Sequence, residues 1–90
     1  MKISYDPLKR DLTLRERGLD FEDAAQVFAD LHTVEQDSRF DYPEPRFISA
    51  GTLNGRVVVI VWTPSGEGRR VISMRHAHAK ESKRWRDHLG

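Results

Sequence analysis

The sequence predicts a small α+β domain in the order β-α-α-β-β-β-β-α, with a mainly antiparallel sheet packed against helices. Asn54-Gly55 lies between two apolar segments, which is the pattern of a two-residue β-hairpin turn. Residues 57–62 read VVVIVW without a polar break, which is typical of a buried central strand. Helix-forming residues are found near both ends, with capping signals at the helices of the N-terminal part. With 90 residues and no internal repeat, the chain is expected to form one domain over residues 1–90.

The composition excludes several classes of protein. Hydrophobic residues make up 38% of the chain, which suits a folded domain better than a disordered one. There is no cysteine, so disulfides and thiolate chemistry are excluded. Since the N-terminal residues contain no apolar signal core and no apolar segment approaches the length of a membrane span, we expect a cytoplasmic protein without a membrane partner.

Charge is distributed unevenly although the formal net charge is only +1. Residues 20–44 hold eight acidic residues and one arginine, whereas Lys, Arg and His far outnumber acids in residues 69–90. This asymmetry predicts a basic surface suited to a polyanion beside a more acidic one.

The first elements are predicted from alternation and capping residues. Ile3 and Tyr5 alternate with polar neighbours, as in a short strand. Asp6-Pro7 is an N-cap followed by proline at the first helical position, and Gly18 suits a left-handed C-cap. The helix between them is expected to pack shallowly through an inner stripe of Leu8, Leu12, Arg15 and Leu19.

A second helix is predicted to begin after Asp20, which suits an N-cap. Residues 32–36 are then predicted to form a strand, and residues 37–45, with two prolines, an exposed and relatively mobile loop. The apolar face of the second helix is expected to comprise Phe21, Ala24, Ala25, Phe28 and Leu31.

The hairpin strands are predicted over residues 46–53 and 56–63, and the central strand should be covered on both faces. Residues 69–75 alternate as a final strand, and residues 77–89 form the last helix. On that helix Ala77, Glu81, Trp85 and Leu89 recur every four residues and share one face. An inward Glu81 requires a partner, for which Arg75 or Arg70 is available, and we favour a structural role for it over general-base catalysis.

Basic side chains are the candidate functional groups. Arg46 and Arg75 are expected on neighbouring parts of the sheet, with Lys9 from the first helix, because Arg and Lys bind phosphate. Alternatively, the two arginines are solvated or paired with Glu44 and Glu81.

No metal or cofactor is expected. His76 and His78 can transfer protons near neutral pH, but residues two apart do not share a helix face and make a poor metal pair. The spacing of Asp37, Asp41 and Glu44 matches no cation-binding motif.

The end of the last strand and the segment after it contain the pattern ISxRxAxxxE, which begins at Ile72 and ends at Glu81. Further residues of the same kind of signature are Tyr5-Asp6-Pro7, Lys9, Gly18 to Ala25, Val27 to Asp30, Asp37, Glu44 to Phe47, Gly51 and Arg70-Val71. Through these residues the chain resembles the BrnT family over nearly its whole length. The pattern from Ile72 is the most specific element, and Trp85 stands where the family usually has another aromatic residue, commonly Tyr.

The resemblance implies a toxin of a type II toxin–antitoxin module, related in fold to the RelE ribonucleases. Such a protein is a metal-independent ribonuclease neutralised by an antitoxin partner, and it meets DNA only indirectly, through that antitoxin. Cleavage would use the 2′-hydroxyl of the RNA, with Lys9, Arg46 and Arg75 relieving phosphate charge and Glu44 or a nearby His moving a proton. The residues expected to bind RNA are Arg70, His76, His78, Lys80, Lys83 and Arg84.

The sequence departs from the family at the end of the first helix. The family has an Asn and then Lys-His-Gly where this chain has Thr13 and Glu16-Arg17-Gly18. Two other hypotheses are therefore kept: a catalytically weak or inactive relative that acts as an interaction or regulatory module, and a non-catalytic RNA-binding domain. The second lacks support from RNP aromatics or a GXXG clamp.

Overall fold

The α+β fold consists of one mixed sheet of five strands and three α-helices. The computed structural model describes residues 1–89, with the side chain of Leu89 excluded. The elements are β1 (Ile3–Ser4), α1 (Pro7–Arg17), a 3₁₀ turn (Phe21–Asp23), α2 (Ala24–Ala29), β2 (Glu35–Gln36), β3 (Phe47–Leu53), β4 (Arg56–Ser65), β5 (Gly68–His76) and α3 (Ala79–Leu89).

The strands are arranged in the order β1-β5-β4-β3-β2. The pairs β2–β3, β3–β4 and β4–β5 are antiparallel, as predicted for most of the sheet. The exception is β1, which pairs in parallel with β5, so that Ile3 lies opposite Arg69. The sheet is therefore mixed, with a two-residue strand at each edge.

The hairpin prediction is confirmed. Asn54 and Gly55 have positive φ angles of 51° and 78°, the conformation of a tight turn whose twist matches the strands that it joins. In β4, Ile60 is fully buried in the main core, and Val57 and Val59 are buried on the opposite face. The central strand is thus covered on both faces, as predicted, although Val61 is only half-buried.

The main core lies between one face of the sheet and the segment that contains the 3₁₀ turn and α2. Trp62 is held within it by a hydrogen bond from Nε1 to the buried Ser49 Oγ (2.9 Å) and by stacking on Phe47 at 4.9 Å. Helix α2 approaches β3 at Gly51, where a Cβ would lie 2.6 Å from Cγ1 of Val27. The buried residues of this core are Leu19, Phe21, Ala24, Val27, Phe28, Leu53, Val58, Ile60, Trp62, Val71 and Met74.

Helix α1 has the predicted ends. The Asp6 side chain accepts a hydrogen bond from the Leu8 amide (3.0 Å), and Gly18 adopts a left-handed conformation with φ of 68°. The predicted inner stripe is wrong, since Leu8 is 78% exposed and Leu12 is 48% exposed; of that stripe only Leu19, beyond the helix, is buried.

The opposite, polar side of α1 faces the domain instead. Arg10 makes a bidentate contact with Asp20, with both N···O distances at 2.8 Å, and Arg17 donates to the Met74 carbonyl (3.0 Å). The hydrogen bonds from Arg10 are the main cause that lowers the pKa of Asp20. Partners distant in sequence thus determine which side of α1 faces inward.

The predicted second helix is shorter than expected and divided. Asp20 caps only the 3₁₀ turn, accepting from the Glu22 amide (3.0 Å). Helix α2 ends before Asp30, which has extended backbone and whose side chain accepts from the Leu31 amide (2.8 Å). Leu31, predicted on the inner face, is therefore 61% exposed. The short Asp30 side chain thus takes a backbone N–H group that could otherwise have continued the helix.

Helix α3 begins two residues later than predicted and buries Trp85. The predicted contribution of the Leu89 side chain to its inner face lies outside the described residues. Within residues 1–89, no helix is both long enough and apolar enough to span a membrane.

Candidate functional site

A groove lies on the sheet face opposite the main core, between α3 and the segment that contains β2. It encloses about 630 Å³. Its mainly apolar floor comes from β3, β4 and β5, and its two rims carry charged side chains. The lining residues used below are Ile48, Ala50, Val59, Val61 and Ser73 on the floor, Arg75, Glu81, Arg84, Trp85 and His88 on one rim, and His32, Glu35 and Arg39 on the other.

Strand and helix periodicity place these side chains in the groove. In β5, Met74 points into the main core, so Ser73 and Arg75 on either side of it point to the opposite face. On α3, the spacing of Glu81, Trp85 and His88 by four and three residues puts them on one side of the helix. The groove thus combines a rigid strand with a helix packed over it through Trp85.

Arg75 and Glu81 form a bidentate ion pair on the rim, with N···O distances of 2.7 and 2.9 Å. Glu81 also accepts a hydrogen bond from the His78 amide (2.8 Å), as a carboxylate near a helix N-terminus commonly does. The Arg75 hydrogen bonds are the main cause that lowers the pKa of Glu81 to about 2. Of the two partners that the sequence offered for Glu81, Arg75 and Arg70, the structure shows Arg75. The role of Glu81 in activity stays a prediction.

Three arginines line the groove, namely Arg39, Arg75 and Arg84. Arg39 lies close enough to Arg75 for its charge to oppose the rise in the pKa of Arg75 that the Glu81 hydrogen bonds cause. An anion bound there would relieve this repulsion between like charges.

The loop of residues 37–45 is built around Asp37. Its side chain is fully buried and accepts hydrogen bonds from Nε and Nη2 of Arg39, both at 2.8 Å, while its amide donates to the Arg46 carbonyl (2.8 Å). The Arg39 hydrogen bonds are the largest cause that lowers the pKa of Asp37 to about 2. Most of the loop is exposed as predicted, but this buried carboxylate fixes Arg39 at the groove.

These two carboxylates predict acid sensitivity. The folded-state pKa of Asp37 and of Glu81 is about 2, below the ordinary values of 3.8 and 4.5. Both carboxylates therefore stabilise the fold at pH values above their ordinary pKa, and this stabilisation is lost as the pH falls toward 2. We expect the melting temperature to fall between about pH 5 and pH 2. Asp37→Asn should be less stable at pH 7 and flatter over this range, as measured by circular dichroism.

The control is Asp41→Asn, in the same loop but exposed, whose curve should superimpose on that of the wild type. If Asp37→Asn follows the wild-type curve at every pH, the buried ion pair does not contribute to stability.

The four predicted catalytic residues do not come together in one site. Lys9 is exposed on α1, and Arg46 stacks on Tyr42 at 4.2 Å and donates to Glu44 at 3.3 Å in the loop. Neither Lys9, Glu44 nor Arg46 lines the groove in the described part of the chain. Arg46 is not next to Arg75 on the sheet, because β4 separates β3 from β5.

The six predicted RNA-binding residues also separate. Arg84 lines the groove, whereas Arg70 is exposed near the other end of β5. Lys80 and Lys83 are exposed on α3, outside the groove lining, and His78 is exposed just before that helix. His76 is half-buried; burial, followed by the charge of Arg56, lowers its pKa.

Sequence reasoning missed Arg39 and His88. The spacing of His88 from Glu81 and Trp85 on the last helix is a signal that could have found it. Arg39 carries no local signal, since it reaches the groove through a loop held by Asp37. Among residues 1–89, no three His, Asp or Glu side chains are grouped closely enough to hold a metal ion.

Comparison with known families identifies a match over most of the chain. The family model described as the ribonuclease toxin BrnT of the type II toxin–antitoxin system matches residues 5–81. No curated protein matches the sequence. The matched segment contains Arg39, Arg75 and Glu81, and it ends before Arg84 and His88.

Proposed function

The chain belongs to the BrnT family of ribonuclease toxins from type II toxin–antitoxin systems, and we propose that it cleaves RNA in the groove beside α3 without a metal ion. The observation that supports this site is the ion pair that holds Arg75 in a groove with two further arginines. Positioned cations can stabilise the charge that develops on a phosphate during cleavage.

Arg75 retains donors for a phosphate while bound to Glu81. A guanidinium has five N–H groups, and the contacts to Glu81 and to the His76 carbonyl use three of them. Two N–H groups remain for substrate, one on Nε and one on Nη2. Glu81 thus orients Arg75 and leaves two of its N–H donors available for a phosphate.

The reaction we propose uses the substrate's own nucleophile. The 2′-oxygen attacks phosphorus, the bond from phosphorus to the 5′-oxygen breaks, and the products are a 2′,3′-cyclic phosphate and a 5′-hydroxyl. Arg39, Arg75 and Arg84 would bind the phosphate oxygens, because arginine matches phosphate geometry. Lys9, Glu44 and Arg46, predicted for the same reaction, lie outside the groove and stay predictions.

The remaining parts of the proposal rest on family membership. They are a RelE-like relationship of fold, action in the cytoplasm and neutralisation by an antitoxin that itself binds DNA. An antitoxin that covers the groove would exclude RNA and satisfy the positive charge of its three arginines.

We expect the purified protein to cleave single-stranded RNA oligonucleotides in the presence of EDTA. A substrate with 2′-deoxyribose at the scissile position should stay intact, because it lacks the nucleophile. Gel electrophoresis and mass spectrometry of the products measure both results. Cleavage that appears only with Mg²⁺ or Mn²⁺ would contradict the metal-independent reaction, and no cleavage under either condition would favour an inactive relative.

A further inference from the structure

His88 carries an exposed imidazole that lines the groove. The residue lies beyond residues 5–81, the segment that the family model matches. It follows Arg84 by one helical turn, so the two side chains are neighbours on α3. Its ring lies nearly parallel to that of Trp85, at 26° with 6.3 Å between centroids. Because Trp85 is buried against the sheet, this contact places the imidazole on the groove side of the helix.

The other three histidines are less suited to proton transfer in the groove. His32 lines it, but Nδ1 contacts the Asp30 carbonyl (2.9 Å) and Nε2 faces Nη1 of Arg69 (3.3 Å), so both ring nitrogens are occupied. His76 is half-buried, and its Nδ1 is enclosed without a partner among the described residues. His78 is exposed outside the groove lining.

We propose that His88 is the general base of the RNA cleavage described above, on which this inference rests. Its neutral imidazole accepts the proton of the 2′-hydroxyl as the bond from the 2′-oxygen to phosphorus forms. The bond to the 5′-oxygen breaks, and the 5′-oxygen takes a proton from water. His88 then returns its proton to solvent, so the enzyme ends the cycle unchanged.

The charged groups that face His88 leave one competitor for this role. Arg39, Arg75 and Arg84 are cations suited to the phosphate, and Glu81 is committed to Arg75 and the His78 amide. Glu35, on the opposite rim from β2, is the remaining carboxylate of the groove lining. A test of His88 therefore has to include Glu35.

The experiment compares His88→Gln and Glu35→Gln with wild type on a DNA oligonucleotide that carries one ribonucleotide, in EDTA. We expect His88→Gln to lower kcat by about 10²–10⁴-fold with little change in KM, and to remove the low-pH limb of the kcat/KM profile. Glu35→Gln, which removes the competing carboxylate, should cleave at close to the wild-type rate.

Near-wild-type cleavage by His88→Gln would overturn the assignment while leaving the proposed function intact. The same holds if Glu35→Gln, and not His88→Gln, loses activity. Failure of the wild type to cleave an all-RNA substrate would overturn both proposals. If His88→Gln lowers the melting temperature, His88→Ala decides the matter: added imidazole restores cleavage if His88 is the base, and absence of rescue overturns the assignment.

Discussion

Replacing Arg75 with alanine is expected to lower kcat/KM for RNA cleavage by about 10²–10³-fold while the protein stays folded. The change removes the guanidinium that Glu81 holds in the groove, and with it charge stabilisation that needs no rearrangement during the reaction. Because Arg75 and Glu81 are 36% and 31% exposed, the unpaired Glu81 should cost less than the ~3–5 kcal/mol of a deeply buried pair. Initial rates in EDTA and thermal melting measure the two effects.

The matched control is Arg70→Ala, on the same strand but outside the groove lining, which should retain most of the activity. Arg75→Lys keeps the charge without the bidentate geometry and should remain well below wild type. Equal losses in Arg70→Ala and Arg75→Ala would place the site elsewhere. If Arg75→Ala unfolds the domain whereas Glu81→Ala stays stable but inactive, Glu81 is the catalytic group.

Phe21→Ala is expected to have the largest effect on stability. Phe21 is 1% exposed and packs edge-to-face on Tyr5 at 5.9 Å between centroids. Removing a buried aromatic side chain costs about 3–5 kcal/mol. At roughly 4–8 °C per kcal/mol for a domain of this size, the melting temperature should fall by at least ~12 °C.

Phe40→Ala provides the control, since it deletes the same side chain where it is 71% exposed. We expect its unfolding free energy to stay within about 0.5 kcal/mol of wild type, as urea titration would show. A loss in Phe40→Ala comparable to that in Phe21→Ala would mean that the loop, and not only the core, is needed for folding.

The features predicted correctly from sequence depend on local chemistry. Asp6 and Gly18 end α1 as caps because their conformations are preferred by those residue types. Asn54-Gly55 gives the tight turn for the same reason, and the apolar run from Val57 gives the central strand without knowledge of its neighbours.

The features that sequence could not give depend on distant partners. Leu8 and Leu12 indicated the inner side of α1. In the structure, however, Arg10 binds Asp20 and Arg17 binds the Met74 carbonyl. These contacts orient the opposite side of the helix toward the domain.

The candidate site was predicted in part. The alternation in β5 and the spacing of α3 bring Arg75 to Glu81, and both signals are present in the sequence. Arg46 could not be separated from Arg75, because the pattern within each strand does not give the order of the strands in the sheet. Arg39 could not be placed in the groove without knowing that Asp37 is buried beneath the loop.

The polar attachment of α1 has a consequence for the cooperativity of unfolding. The helix buries none of its own side chains and is joined to the domain mainly by Arg10 and Arg17. Because elements with few buried apolar contacts open most easily, we expect α1 to form a weaker unit that opens before the sheet. Amide hydrogens of α1 should therefore exchange through local opening, and salt, which screens its charged contact to Asp20, lowers the free energy of that opening while β4 remains folded.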